Sequence, residues 1–128
     1  MRIAYLTVDE VNEDLALRLA EEYGMTVCPQ TLRDPPPDGQ FDAVLCDWDS
    51  FSRSDQQEIL ARLLEGPLSC PVAVHGYNAP EPQVEAFRKK AIIVFRTLQP
   101  ELFQLLHRAA DQLRTARHSG HVVSRRID

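Results

Sequence analysis

The chain has 128 residues, 44% of them hydrophobic and 26% charged, with a net charge of −5. That length suits a single domain with one compact core, and the composition is that of a globular protein rather than a disordered one. The acidic balance offers nothing to a phosphate backbone or an anionic lipid surface, so neither nucleic acid nor membrane is expected as a partner. No apolar run approaches the ~20 residues of a membrane span. The N-terminus meets acids at Asp9 and Glu10 too early for a signal peptide, so none is expected. The cysteines, Cys28, Cys46 and Cys70, are odd in number, lack a CxxC pair and sit at or near apolar runs. Buried free thiols in a reducing, cytoplasmic setting are expected. His75, His107, His118 and His121 do not join these cysteines at zinc-ligand spacing.

In chain order, residues 2–8 (RIAYLTV) form a short β-prone apolar run, the first expected strand. Asp9 and Asn12 open a helix whose face is expected from Leu15, Ala16, Leu17, Leu19 and Ala20, with Gly24 as its stop. Residues 25–28 make a second strand. Residues 29–40 (PQTLRDPPPDGQ) hold four prolines and Gly39, which excludes a helix and predicts a loop with a stiff extended piece. Residues 41–46 form a central strand, apolar after Asp42. Ser52 or Ser54 caps a helix to about residue 65, carried by Ile59, Leu60, Leu63 and Leu64 and ended by Gly66-Pro67. Residues 71–75 are the fourth strand and 76–80 a loop. Residues 81–90 form a polar helix with Val84 and Phe87 as its contacts, and 91–95 the fifth strand. Pro100 starts a helix that runs to about residue 117, and 118–128 form a tail without periodicity.

Apolar strands alternating with amphipathic helices predict an α/β fold with a parallel sheet and right-handed crossovers. Such sheets carry their functional groups at the carboxyl ends of the strands. Here those ends are residues 7–10, 47–50, 75–78 and 96–97.

With FDAVLCD, PVAVHGYN and IIVFRTLQPELFQLL at three of those ends, residues 2–115 resemble the receiver domain of bacterial response regulators. The resemblance implies a flavodoxin-like three-layer sandwich with five parallel strands in the order 2-1-3-4-5. It divides the chain into a receiver-like domain, 1–117, and a tail, 118–128. The family is phosphorylated on an Asp after the third strand, and Asp47 holds that position. Around it the pattern departs. The family has two acids that hold Mg²⁺ after its first strand. A gapless match puts Thr7 and Val8 there, and one with two inserted residues puts Asp9 and Glu10 there. The family has Thr or Ser after its fourth strand, where Gly76 stands, and Lys-Pro after its fifth, where Arg96 and Thr97 stand. Its second helix is replaced by the proline-rich loop.

A divalent ion needs oxygen ligands, which Val8 lacks, and the phosphate-following hydroxyl is missing at Gly76. The expectation is therefore a degenerate receiver: a non-enzymatic signalling or interaction module in the cytoplasm, without a cofactor. Its partner is a protein or a second copy of itself. Trp48, Phe51 and Tyr77 are the candidate contact residues, unless Trp48 folds back over the sheet end. The first alternative is a working phosphoacceptor, with Asp47, Asp9 and Glu10 holding Mg²⁺ and Arg96 and Thr97 contacting phosphate. The second is a small hydrolase or transferase. DWDS also resembles the Asp-x-Asp motif of haloacid-dehalogenase-like phosphatases and the metal-binding motif of nucleotide-sugar transferases. The phosphatase motif also needs a later Lys and an acidic pair; Lys89 and Lys90 lie on a surface helix and no such pair follows the fifth strand. Cys46 beside a carboxylate is expected to be a packed core thiol. His75 is expected to be a hydrogen-bonded structural residue.

Overall fold

The computed structural model describes residues 1–33, 40–65 and 68–127, with side chains to residue 116. Five strands form one parallel sheet: β1 (Arg2–Leu6), β2 (Thr26–Gln30), β3 (Ala43–Asp47), β4 (Val72–His75) and β5 (Ile93–Phe95). Their order is β2-β1-β3-β4-β5. The described helices are α1 (Glu10–Glu21), α2 (Arg53–Leu64), α3 (Glu81–Lys89) and α4 (Pro100–Ile127), with a single 3₁₀ turn at Trp48–Ser50. This is the flavodoxin-like architecture expected from the sequence. The proline-rich loop expected in place of a second helix falls largely on residues 34–39, which lie outside the described residues, as does the Gly66-Pro67 stop.

The two-residue period of the strands divides the core between the two faces of the sheet. Ile3, Tyr5, Ala43, Leu45 and Ala73 meet Ala16 and Ala20 of α1 and Leu102, Phe103 and Leu106 of α4. On the other face Leu6, Cys46, Val72 and Val74 meet Ile59 and Leu63 of α2 and Phe87 of α3. Leu32, just past β2, also packs on that second face. Of the five residues expected on the α1 face, only some meet the sheet. Small Ala16 and Ala20 take the sheet contact, while Leu15 and Leu17 remain 41% and 39% exposed on the helix flanks.

Several boundaries also differ. β1 ends at Leu6 because Thr7 turns its hydroxyl inward and Asp9 caps α1, accepting from the amides of Val11 and Asn12. β2 continues through Pro29 and Gln30, which were expected in the loop. The strand is at the sheet edge. Thr26 N–H donates to Met1 carbonyl, so alternate peptide groups put the Pro29 nitrogen on the outer side, where no ladder bond is lost. Ser52 caps α2, accepting from the amide of Asp55. α3 closes over Ala91, whose φ of 61° lets Ile92 N–H bond the Phe87 carbonyl. α4 continues to Ile127, beyond the apolar period that ends near residue 117. No described helix is long and apolar enough to cross a membrane.

Candidate functional site

Register places Asp47, the last residue of β3, directly across from His75, the last residue of β4. Both side chains point to the α1/α4 face, as does Tyr5 of β1. Cys46 and Trp48 point to the opposite face. The candidate site is thus a polar cluster buried at the carboxyl end of three adjacent strands.

Asp47 is 1% exposed and His75 4%. The Thr7 hydroxyl donates to Asp47 Oδ2 at 2.9 Å, and the Asn12 side-chain amide donates to the same oxygen at 2.8 Å. Thr7 Oγ1 in turn accepts the Asp9 N–H at 3.0 Å, and Ser50 Oγ, which accepts from Val8 N–H, donates to the Asp47 carbonyl at 3.1 Å. Tyr5 OH and His75 Nε2 are 2.7 Å apart, with ring centroids separated by 5.8 Å. His75 Nδ1 lies 3.8 Å from Asp47 Oδ1.

Burial dominates the electrostatics. It holds the His75 pKa below its ordinary value, although Asp47, Asp49 and Asp9 pull the other way. The imidazole is therefore neutral at pH 7, and its approach to Asp47 is not an ion pair. Burial, helped by Asp47, pushes the Tyr5 phenol upward. The tautomer that avoids setting an Nδ1 lone pair against the Asp47 carboxylate carries its proton on Nδ1, and the Tyr5 O–H then donates to Nε2. Burial also pushes the Cys46 thiol upward, with Asp47 adding to the effect, so Cys46 is a core thiol as its neighbours implied.

The remaining candidates lie elsewhere. Asp9 is the N-cap of α1, and Glu10 is exposed on its first turn. Among the described residues no group of three or more His, Cys, Asp or Glu is arranged to hold a metal ion, so Asp9, Glu10 and Asp47 do not form such a group. Arg96 and Thr97 are exposed, and the Arg96 guanidinium lies 6.0 Å over the Tyr77 ring. Trp48 and Phe51, considered as contact residues, are buried at 3% and 8% exposure, whereas Tyr77 is 65% exposed. Trp48 folds back because the α2/α3 face offers it Phe87, edge-on at 5.8 Å, and because Gly76 leaves it room. A Cβ on Gly76 would stand 2.7 Å from the Trp48 Cβ. Asp49 turns away from Asp47, accepting the backbone N–H groups of Tyr77 at 2.7 Å and Asn78 at 3.2 Å. Nothing in the sequence marks Tyr5 as a site residue, and Asn12 reads there only as part of a helix start. Tyr5 looks like any strand aromatic. Asn12 carries one weak signal, a polar residue in the first turn of the helix that follows β1.

No family model matches the sequence, and no curated protein matches it. Solved structures do. A two-component response regulator from Clostridium difficile aligns with 88% of this chain and 96% of its own, at 12% identity and a TM-score of 0.60. The fold is receiver-like. The HemR receiver domain from Leptospira biflexa covers 85% of this chain and 93% of its own, at 18% identity and a TM-score of 0.58. NtrX from Brucella abortus, solved in complex with ADP, covers 99% of this chain with 30% of its own length, at 18% identity and a TM-score of 0.69. At such identities the receiver-like likeness is one of fold.

Proposed function

We propose that this receiver-like chain is a non-enzymatic protein-interaction module in signalling, working without phosphorylation of Asp47. The observation that carries the proposal is the state of the Asp47 carboxylate. It is enclosed, and its Oδ2 already accepts from Thr7 and Asn12. Transfer of a phosphoryl group to a carboxylate needs an accessible oxygen and a divalent ion beside it. Mg²⁺ needs oxygen lone pairs in near-octahedral array. The groups around Asp47 do not fit it. Thr7 and Asn12 aim donors at the carboxylate, the Nδ1 of His75 carries a proton, and one carboxylate oxygen of Asp9 is engaged at the α1 N-terminus. An Asp47/Asp49 hydrolase is disfavoured on similar grounds, because the two carboxylates serve different partners.

Incubation with Mg²⁺ and a small acyl-phosphate donor tests this, followed by intact mass and by the fluorescence of Trp48. The expected outcome is no phosphoryl adduct and no fluorescence change, with beryllofluoride equally silent. An adduct that disappears in Asp47→Asn would establish the working phosphoacceptor instead. Steady turnover of phosphate esters would establish the hydrolase.

A further inference from the structure

The amino ends of β3 and β4 lie at the edge of the sheet opposite Asp47, and α4 passes over them. Along α4 the residues that face the sheet shrink. Leu102, Phe103 and Leu106 are fully buried in the core, and one turn on stands Ala110. The loop that enters β4 adds Ser69 and Cys70, which are also small. Between these residues and the larger Phe41 and Leu113 a cavity of about 230 Å³ remains. Asp42 and Arg114 complete its lining. Its walls are held in place. Asp42 N–H bonds the Arg2 carbonyl, Val44 N–H bonds the Pro71 carbonyl, and the Arg2 guanidinium lies 5.0 Å over the Phe41 ring.

The two charges at this cavity are unequally committed. Asp42 accepts the Arg2 backbone N–H on one oxygen at 2.8 Å and Arg114 on the other at 3.2 Å. Those bonds, that of the Arg2 amide foremost, hold the Asp42 carboxyl below its ordinary range. Arg114 gives one Nη to its bond, and its side chain is 61% exposed. The rest of a rigid fork of N–H donors remains. A cation entering here would find both Asp42 oxygens occupied, whereas a carboxylate would find donors beside an apolar interior. Volume sets the size of the ligand. A cavity of ~150 Å³ holds benzene, so this one suits about nine non-hydrogen atoms. That is below the ~300 Å³ and upward of pockets for drug-sized ligands. We propose that this cavity binds a small monocarboxylate with a compact, aromatic body. The carboxylate meets Arg114, and the ring lies against Phe41, Ala110 and Leu113. The inference goes beyond the interaction-module reading and uses none of the residues on which that reading rests.

Benzoate, which has the size derived above, is the probe. It is titrated into isotope-labelled full-length protein at constant ionic strength. The expected result is a set of saturable amide shifts centred on Asp42, Cys70, Leu113 and Arg114. Benzamide, the same shape without the charge, binds at least about tenfold more weakly, the loss expected when a bond to a charged group is removed. Acetate, the charge without the ring, does not saturate over the same range. Arg114→Gln also loses about tenfold, and Arg114→Lys, which keeps charge but not the fork, falls between. Ala110→Leu fills the cavity and removes binding. Arg114 is exposed, so Arg114→Gln decides the matter even where Ala110→Leu does not fold. Absence of saturation, shifts centred elsewhere, equal binding of benzamide or acetate, or unchanged binding in Arg114→Gln or in folded Ala110→Leu would each overturn the proposal. The acyl-phosphate experiment reads the opposite edge of the sheet, so the two readings fail separately.

Discussion

Gly76→Ser is the most informative single change. Serine is what the receiver resemblance would place there, and the substitution asks whether that hydroxyl can be restored. A Cβ at this position would lie 2.7 Å from Trp48 Cβ, 3.2 Å from Cγ and 3.3 Å from Cδ1. The first contact is with the root of the side chain, so a rotamer change cannot relieve it. The 3₁₀ turn or the loop at 76 must shift instead. Trp48 is 3% exposed and seated on Phe87, so movement disturbs the α2/α3 core. Overpacking of this kind costs ~1–3 kcal/mol. For a chain of this length that lowers Tm by roughly 3–5 °C per kcal/mol. Urea unfolding followed by the fluorescence of Trp48, the one tryptophan of the chain, measures stability and displacement together. A double variant, Gly76→Ser with Trp48→Ala, followed by far-UV circular dichroism together with both single variants, should cost less than the sum of the two single changes, because removing the indole beyond Cβ gives the turn freedom to relax. If Gly76→Ser is within about 0.5 kcal/mol of wild type, the size of an ordinary surface change, with unaltered fluorescence, the steric account is wrong.

Thr7→Val should destabilise the fold by roughly 1–3 kcal/mol, since it leaves a buried carboxylate short of one donor; a loss below 0.5 kcal/mol in urea unfolding would contradict the network. Ala91 sits at φ 61°, so Ala91→Gly is expected to stabilise by about 0.5–1 kcal/mol by relieving left-handed strain. Gly24→Ala, at φ 69°, should lose about 1 kcal/mol although its Cβ meets nothing within 4 Å. The His75 pKa is lowered on folding, so the native state binds fewer protons there than the unfolded chain. Its stabilising effect is complete above the ordinary value of 6.5 and is lost as pH falls below that value and through the lowered native one. Its contribution to the slope is at most about 1.4 kcal/mol per pH unit. His75→Gln, which keeps an acceptor for Tyr5, should flatten stability between pH 6.5 and 5; an unchanged slope would remove His75 as the cause.

Much of the sheet could be seen in the sequence, because buried parallel strands appear as uninterrupted apolar runs such as AVLC and PVAV. The position of Asp47 followed from that, being the first polar residue after the central run. What surrounds it did not follow. Tyr5 is seventy residues from His75, and only the pairing of β1 with β3 and of β3 with β4 brings the two together. Trp48 presented two possible homes, and the choice depended on Gly76, twenty-eight residues away, having no side chain. Pro29 suggested a break because proline cannot donate to a ladder; that penalty vanishes on an outward-facing edge position. In α1, leucines outweigh alanines in any hydrophobic count, yet the close approach of helix to sheet selected the alanines.

That outward proline limits how this molecule can associate. An exposed strand edge is normally a template on which another chain can extend the sheet. Within β2 the outward-facing peptide groups belong to Val27 and Pro29, and the second has no hydrogen to give. An approaching strand would find one donor where it needs two. Intermolecular sheet growth, whether in an ordered dimer or an aggregate, is disfavoured at this margin, and any second copy that binds there must do so through side chains.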